Sequence, residues 1–266
     1  MLSNITIIRV KYGCQAVIAT LRQYGTKSNK LPMLSDFQYI QLFDQCKILP
    51  MHAGEVRMVV SNKIVANKGR YEQISNLLSG TDVMARACFY RDFANTDILT
   101  PGIRQLYQNS INLNTISGGT RIPWYFIACV HYRESTCNFN KHLHNGDSLN
   151  DYTRQFPPNR PQVGHGPPFT FEESAVDALK LQKVDKITAW YLPKLLARLE
   201  QYNGAAKAYE THHINNPYLW AGSNLYTKGG FPRDHVYDKD YVNKQFGIAV
   251  ILKELEQTGK ISIPRH

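Results

Sequence analysis

The chain has 266 residues, 43% hydrophobic and 20% charged, a globular balance that excludes a disordered polypeptide. Lys and Arg outnumber Asp and Glu by ten, with a pI near 9.3, so the field of the protein attracts polyanions such as nucleic acid, anionic lipid or an acidic cell-wall polymer. No uninterrupted run reaches the roughly eighteen apolar residues that span a bilayer, and five scattered cysteines with no C-x-x-C pair support neither a disulfide framework nor a zinc ribbon.

In chain order, residues 4–25 read as a short helix or as a strand followed by a helix, and 25–30 as a polar linker. Arg9 and Lys11 interrupt the apolar residues of 1–20, so no core of signal-peptide length forms. The expected location is therefore cytoplasmic until release, as for a phage lysin, or outside the cell by a route that uses no cleaved signal. Residues 1–35 form an extension of unassigned role. From Asp36 the spacing of Phe37, Ile40, Leu42, Phe43 and Cys46 predicts a helix that Pro50 ends. Val56–Ser75 predicts a second long helix. Residues 77–120 lack a clear period, with a turn at 117–119.

The second half is more legible. Pro123 suits the first position of a helix running to Glu134. Residues 135–168, rich in Asn, Gly, Pro and His, suggest a hairpin and a long loop. Thr170-Phe171-Glu172-Glu173 is a capping box opening a helix with Ala175, Val176 and Leu179 inward. The next helix opens at Pro193 and ends at Asn203-Gly204, and a last one spans Tyr241–Glu256. The expected class is mainly α (α+β): a helical domain over 36–266, with an insertion at about 76–119 and a small β-hairpin beside the helix that ends at Glu134.

That helix places Trp124, Ile127, His131 and Glu134 on one stripe. A glutamate in the last turn, near apolar walls and the negative pole of the helix, is disfavoured in its ionised form, which is what a general acid near neutral pH requires. The alternative is a solvated glutamate paired with Arg133 or Lys141. Asp147, in Asn145-Gly146-Asp147, is either a second carboxylate or a turn residue, and Asp151 competes with it. His142-x-His144 with His131 raises a metal site, but no third ligand is fixed by spacing, so cleft-lining or structural imidazoles are preferred and neither metal nor cofactor is expected. Tyr202, Tyr218, Trp220 and Tyr226 alternate with Asn203, Asn216 and Asn224, and rings interleaved with amides suit a sugar chain or simply pack the last helices. Glu172 and Glu173 belong to the capping box, and Cys129 is a buried thiol.

Tyr132-Arg133-Glu134-Ser135, followed by Asn138-Phe139-Asn140, resembles the Glu-Ser motif of the lysozyme superfamily, which includes goose-type lysozymes and soluble lytic transglycosylases. Gln201-Tyr202-Asn203-Gly204 resembles the Tyr-Asn-Ala-Gly segment that lines their sugar cleft. With His142–Asp147, Phe169–Leu179 and Pro217–Trp220, the order is similar to that of lysozyme-like phage and bacterial peptidoglycan-binding proteins, over about 36–75 and 120–257. The resemblance implies a lysozyme-like fold and a peptidoglycan-cleaving glycosidase, a muramidase with Glu134 as general acid. It implies sugar contacts from Ser135, His144, Tyr202, Asn203, Tyr218, Trp220, Asn224 and Tyr226. Phage-type lysozymes add an Asp on a hairpin and a Thr six residues later, as Asp147 and Thr153 stand here, although the thirteen residues from Glu134 to Asp147 exceed the phage spacing. On that pattern Asp147 and Thr153 position the attacking water of an inverting hydrolysis. A lytic transglycosylase or a non-catalytic peptidoglycan binder on the same fold are the alternatives. The expected partner is the peptidoglycan glycan strand. No dense basic stripe or nucleic-acid motif favours a nucleic acid.

Overall fold

The computed structural model describes residues 34–79, 121–204, 206–233 and 236–266. The readings of 4–30 and of 80–120, including the turn at 117–119, lie outside the described residues. The protein is mainly helical with a small two-stranded antiparallel sheet.

Helix α1 (Asp36–Gln45) starts on a capping box: the Ser35 hydroxyl accepts the Gln38 N–H, and the Gln38 side chain accepts the Ser35 N–H at 2.8 Å. Its inward residues Tyr39 and Phe43 lie four apart on one face and are fully buried. The predicted helix from Val56 to Ser75 is instead broken into α2 (Ala53–Val59), a π turn (Val60–Ile64), a 3-10 turn (Val65–Asn67) and α3 (Lys68–Ser79). A local cause is visible: the Ser61 hydroxyl donates back to the Arg57 and Met58 carbonyls, a competition with the backbone ladder that bends helices.

Helix α4 (Trp124–Ser135) is the centre of the molecule. Every side chain from Tyr125 to Tyr132 is buried, so it is enclosed on all sides rather than striped, and it packs against α3 and against the helices Leu192–Asn203 and Ile248–Gln257. Burying a residue such as Phe126 or Ile127 is worth about 1.5–3 kcal/mol each. Pro123 holds extended backbone at the cap position, one residue before the place expected for it, and Thr136 and Cys137 end the helix in left-handed conformations. Helix α5 (Phe171–Leu181) has the predicted capping box, with the Thr170 hydroxyl accepting the Glu173 N–H and the Glu173 carboxylate accepting the Thr170 N–H at 2.7 Å. Helix α6 (Leu192–Asn203) presents Leu192, Leu195, Leu196 and Leu199 to the core and ends at Gly204, whose φ of +71° favours glycine.

The short helices α7 (Ala206–Thr211) and α8 (Pro217–Trp220) follow, then strands β1 (Gly230–Arg233) and β2 (Val236–Asp238), and α9 (Ile248–Gln257). The two-stranded sheet thus lies at 230–238. The segment after α4 closes through one antiparallel bridge, Lys141 to Ser148. The reason is that side chains intercept the backbone there: Asn145 Oδ1 takes the Asp147 N–H, and Ser174 Oγ takes the Leu143 N–H.

Helix α9 begins at Ile248 rather than Tyr241. Residues 241–247 are drawn out by bonds to other elements: the Asn243 N–H donates to the Tyr226 hydroxyl and the Phe246 N–H to the Tyr132 hydroxyl. Gly247 then passes so close to α8 that a Cβ would lie 2.3 Å from the Leu219 carbonyl oxygen. Among the described residues, no helix is long and apolar enough to cross a membrane.

Candidate functional site

Glu134 sits half-buried in the last turn of α4. The Tyr218 hydroxyl donates towards its Oε1 across 3.5 Å, a long contact that a small movement of either side chain would shorten. Tyr218 is 4% exposed, and burial, reinforced by the Glu134 charge, holds its phenol well above the usual range. It therefore remains a donor at any physiological pH.

Arg133 and Lys141, the neighbours first considered as ion-pair partners of Glu134, are directed elsewhere. The Arg133 guanidinium lies 4.7 Å from the centre of the Tyr218 ring and donates to the Gln245 and Phe246 carbonyls at 3.2 and 3.0 Å. Lys141 Nζ donates to the Gly146 carbonyl at 2.8 Å. Gln245 Nε2 in turn donates to the Tyr132 carbonyl at 2.6 Å, satisfying one of the carbonyls left open at the helix end. The last turn of α4 is thus bolted to 245–246, and Tyr218 is clamped between Arg133 and the core. The Ser135 hydroxyl donates back to the His131 carbonyl at 3.3 Å, inside the last turn of α4.

Asp147 and Thr153 have other partners. Asp147 Oδ2 accepts from Asn145 Nδ2 at 2.9 Å and from the Arg154 and Gln155 N–H groups at 2.9 and 3.2 Å, so this carboxylate organises the loop 145–155. Thr153 is 1% exposed; its hydroxyl donates to the Pro157 carbonyl at 2.5 Å and accepts the Arg160 N–H at 2.9 Å. Asp151 pairs with Arg154 at 2.6 Å.

Behind that loop lies a buried polar network. His142 Nδ1 faces Ser174 Oγ at 2.9 Å and its Nε2 donates to the Asp151 carbonyl at 2.8 Å. His144 Nε2 donates to Asp177 Oδ2 at 2.8 Å, and Arg160 takes both Asp177 oxygens, through NH2 at 2.6 Å and Nε at 2.8 Å. Burial pushes the Asp177 carboxyl up, but His144 and Arg160 outweigh it and hold the group below the usual carboxylate range. Burial lowers both imidazoles. All four ring nitrogens of His142 and His144 are within hydrogen-bonding distance of protein atoms. Among the described residues no group of three or more His, Cys, Asp or Glu is poised to hold a metal ion.

The other predicted sugar contacts divide in the same way. Tyr202 is buried and donates to the Leu143 carbonyl at 3.3 Å, tying α6 to the loop after α4, and Asn203 is buried beside it. Trp220 is 1% exposed and belongs to the core. Asn224 clamps the end of α1, accepting the Lys47 N–H at 2.7 Å and donating to the Gln45 carbonyl at 3.2 Å. Tyr226 donates to the Gly229 carbonyl at 3.0 Å. The structure brings together Glu134 and Tyr218, and it places His144, Thr153, Asn224 and Tyr226 in scaffold contacts.

One carboxylate was not singled out from the sequence. Glu200, on the buried face of α6, is 8% exposed; its Oε2 accepts the Tyr39 hydroxyl at 2.5 Å and its Oε1 accepts Asn216 Nδ2 at 3.2 Å. Burial raises its pKa. The available signal was a glutamate four residues after Leu196 on an otherwise apolar stripe.

No family model matches this chain, and no curated protein or solved structure matches it either.

Proposed function

We propose that the chain is a peptidoglycan-cleaving glycosidase in which Glu134 is the general acid. The observation that carries the reading is the position of Glu134. It stands half-buried at the end of the enclosed helix α4, with the protonated phenol of Tyr218 beside it and the 140–155 loop following, in a Glu-Ser sequence that resembles the lysozyme superfamily. A proton passes from the Glu134 carboxyl to the glycosidic oxygen as the bond from that oxygen to the anomeric carbon breaks. The Tyr218 O–H then donates to the new carboxylate, and Arg133 keeps Tyr218 in place.

Completion of the reaction needs a nucleophile. In the muramidase version a water attacks with help from Asp147 and Thr153. In the lytic transglycosylase version the C6 hydroxyl of the muramyl sugar attacks its own anomeric carbon and returns its proton to Glu134, leaving a 1,6-anhydro end. The second version is supported by the engagement of Asp147 Oδ2 and of the Thr153 hydroxyl within their own loop. Digestion of purified peptidoglycan with mass analysis distinguishes them. Reducing ends support hydrolysis, anhydro ends support the single-glutamate route, and an absence of products contradicts both.

A further inference from the structure

Ser174 Oγ, on the N-terminal part of α5, is the meeting point of the buried network behind the 140–155 loop. It faces His142 Nδ1 at 2.9 Å, His144 Nδ1 at 3.2 Å and the Leu143 N–H at 3.1 Å. A hydroxyl donates once and accepts twice, so these three contacts use its whole capacity. Ser174 and both imidazoles are buried, which makes each proton in the cluster count.

The outer nitrogens of the two rings fix the tautomers. His142 Nε2 meets the Asp151 carbonyl and His144 Nε2 meets Asp177 Oδ2, and both of these acceptors require an N–H. Asp177 stays an anion, because it also accepts Arg160 Nε and Nη2. A neutral imidazole has one N–H, so in each ring it lies on Nε2 and Nδ1 is an acceptor. Two acceptors then face one hydroxyl hydrogen. The four contacts of the two rings share three protons, two from the rings and one from Ser174. Moving either ring proton to Nδ1 transfers the deficit to Asp151 or Asp177 and does not remove it. The hydroxyl hydrogen belongs in the shorter contact, with His142, so the contact lacking a proton is the longer one, with His144.

We infer that this cluster is a one-proton switch: acidification adds a single proton, at His144 Nδ1, which completes the set of hydrogen bonds between the loop after Glu134 and α5. His144 then donates to Asp177 and to Ser174 Oγ, while Ser174 donates to His142 and accepts twice. A second proton has no place, since a charged His142 would aim its Nδ1–H at an oxygen with both lone pairs taken. The Asp177 carboxylate draws the proton to His144, against burial and the Arg160 guanidinium. On His142, Asp147 and Asp177 act against burial and the His144 charge. Other ionisable neighbours are engaged: the Asp151 carboxylate with Arg154, Glu173 with His165, Lys141 with the Gly146 carbonyl and the Tyr202 phenol with the Leu143 carbonyl.

The test is a pH titration of the full chain followed by nitrogen-15 NMR of the imidazole rings, with His142→Gln and His144→Gln assigning the two. The expected result is a proton on His144 Nδ1, with a midpoint about one pH unit or more above that of His142. The Leu143 amide resonance should move with the His144 midpoint, because its N–H shares Ser174 Oγ. Ser174→Ala removes the acceptor for the added proton, at a helical position that alanine suits, and should lower the His144 midpoint by about one pH unit or more. Equal midpoints, a first proton on His142, or no uptake by His144 before the folded spectrum is lost overturns the inference. So does an unchanged His144 midpoint in folded Ser174→Ala, and if that variant does not fold the native titration decides alone. The switch and the proposed enzyme fail separately, because the rings titrate whether or not Glu134 cleaves a sugar.

Discussion

His131 makes α4 a pH-sensitive element. It is fully buried one turn before Glu134, with Nδ1 at 3.0 Å from the Tyr71 hydroxyl and its ring packed against Phe139 and Phe171. Burial, only partly offset by the Asn138 carbonyl, lowers its pKa from 6.5 to about 4. The unfolded chain takes up this proton near pH 6.5 and the folded chain only near pH 4, so between those values the unfolded state binds more protons and stability falls as the pH drops. At about 1.36 kcal/mol per decade, the loss attributable to His131 reaches about 3 kcal/mol by pH 4. The substitution His131→Phe keeps an aromatic ring among Phe139 and Phe171 and removes the titration. Urea unfolding of both proteins from pH 7.5 to 4 gives the comparison, because the other buried imidazoles, His142 and His144, are common to both. The native protein should lose about 3 kcal/mol more than the variant across this range. Parallel curves would refute the reasoning.

The Asp177 network and the Asp147 loop give two further tests. Asp177→Asn removes the charge that Arg160 and His144 share, leaving Arg160 with its side chain 16% exposed and without its carboxylate, and should cost about 3–5 kcal/mol in denaturant unfolding. A loss below 1 kcal/mol would contradict a structural role for the pair. Asp147→Asn weakens three contacts to one oxygen and should lower stability by about 1–2 kcal/mol while retaining cleavage of peptidoglycan. Abolished cleavage in a folded variant would restore Asp147 as the second catalytic group.

The parts of the fold that local chemistry determines were legible in the sequence. The Thr170–Glu173 box and the Asn203-Gly204 stop stand where capping places them, and the helix after Pro123 lies where it is expected, although Tyr125 to Tyr132 are buried on every side and not along one stripe. Part of what escaped depends on distant partners: the start of α9 at Ile248 depends on Tyr132, Tyr226 and Leu219. The break after Val59 is local, marked by the Ser61 hydroxyl turned back on its own helix, which apolar spacing does not register. Site chemistry was harder still. A tyrosine beside an asparagine reads alike whether it lines a cleft or ties a loop, and only the partners of Tyr226 and Asn224 separate the two. Glu200 was hidden because its partners Tyr39 and Asn216 are far from it or from each other in sequence.

The central claim rests on Glu134, and the most direct measurement compares digestion of purified peptidoglycan by the native chain and by Glu134→Gln, with unfolding followed in parallel. The account predicts soluble muropeptides from the native chain and at least a hundredfold slower release from a variant of unchanged stability. Equal release by the two proteins, or none from the native chain, would contradict it.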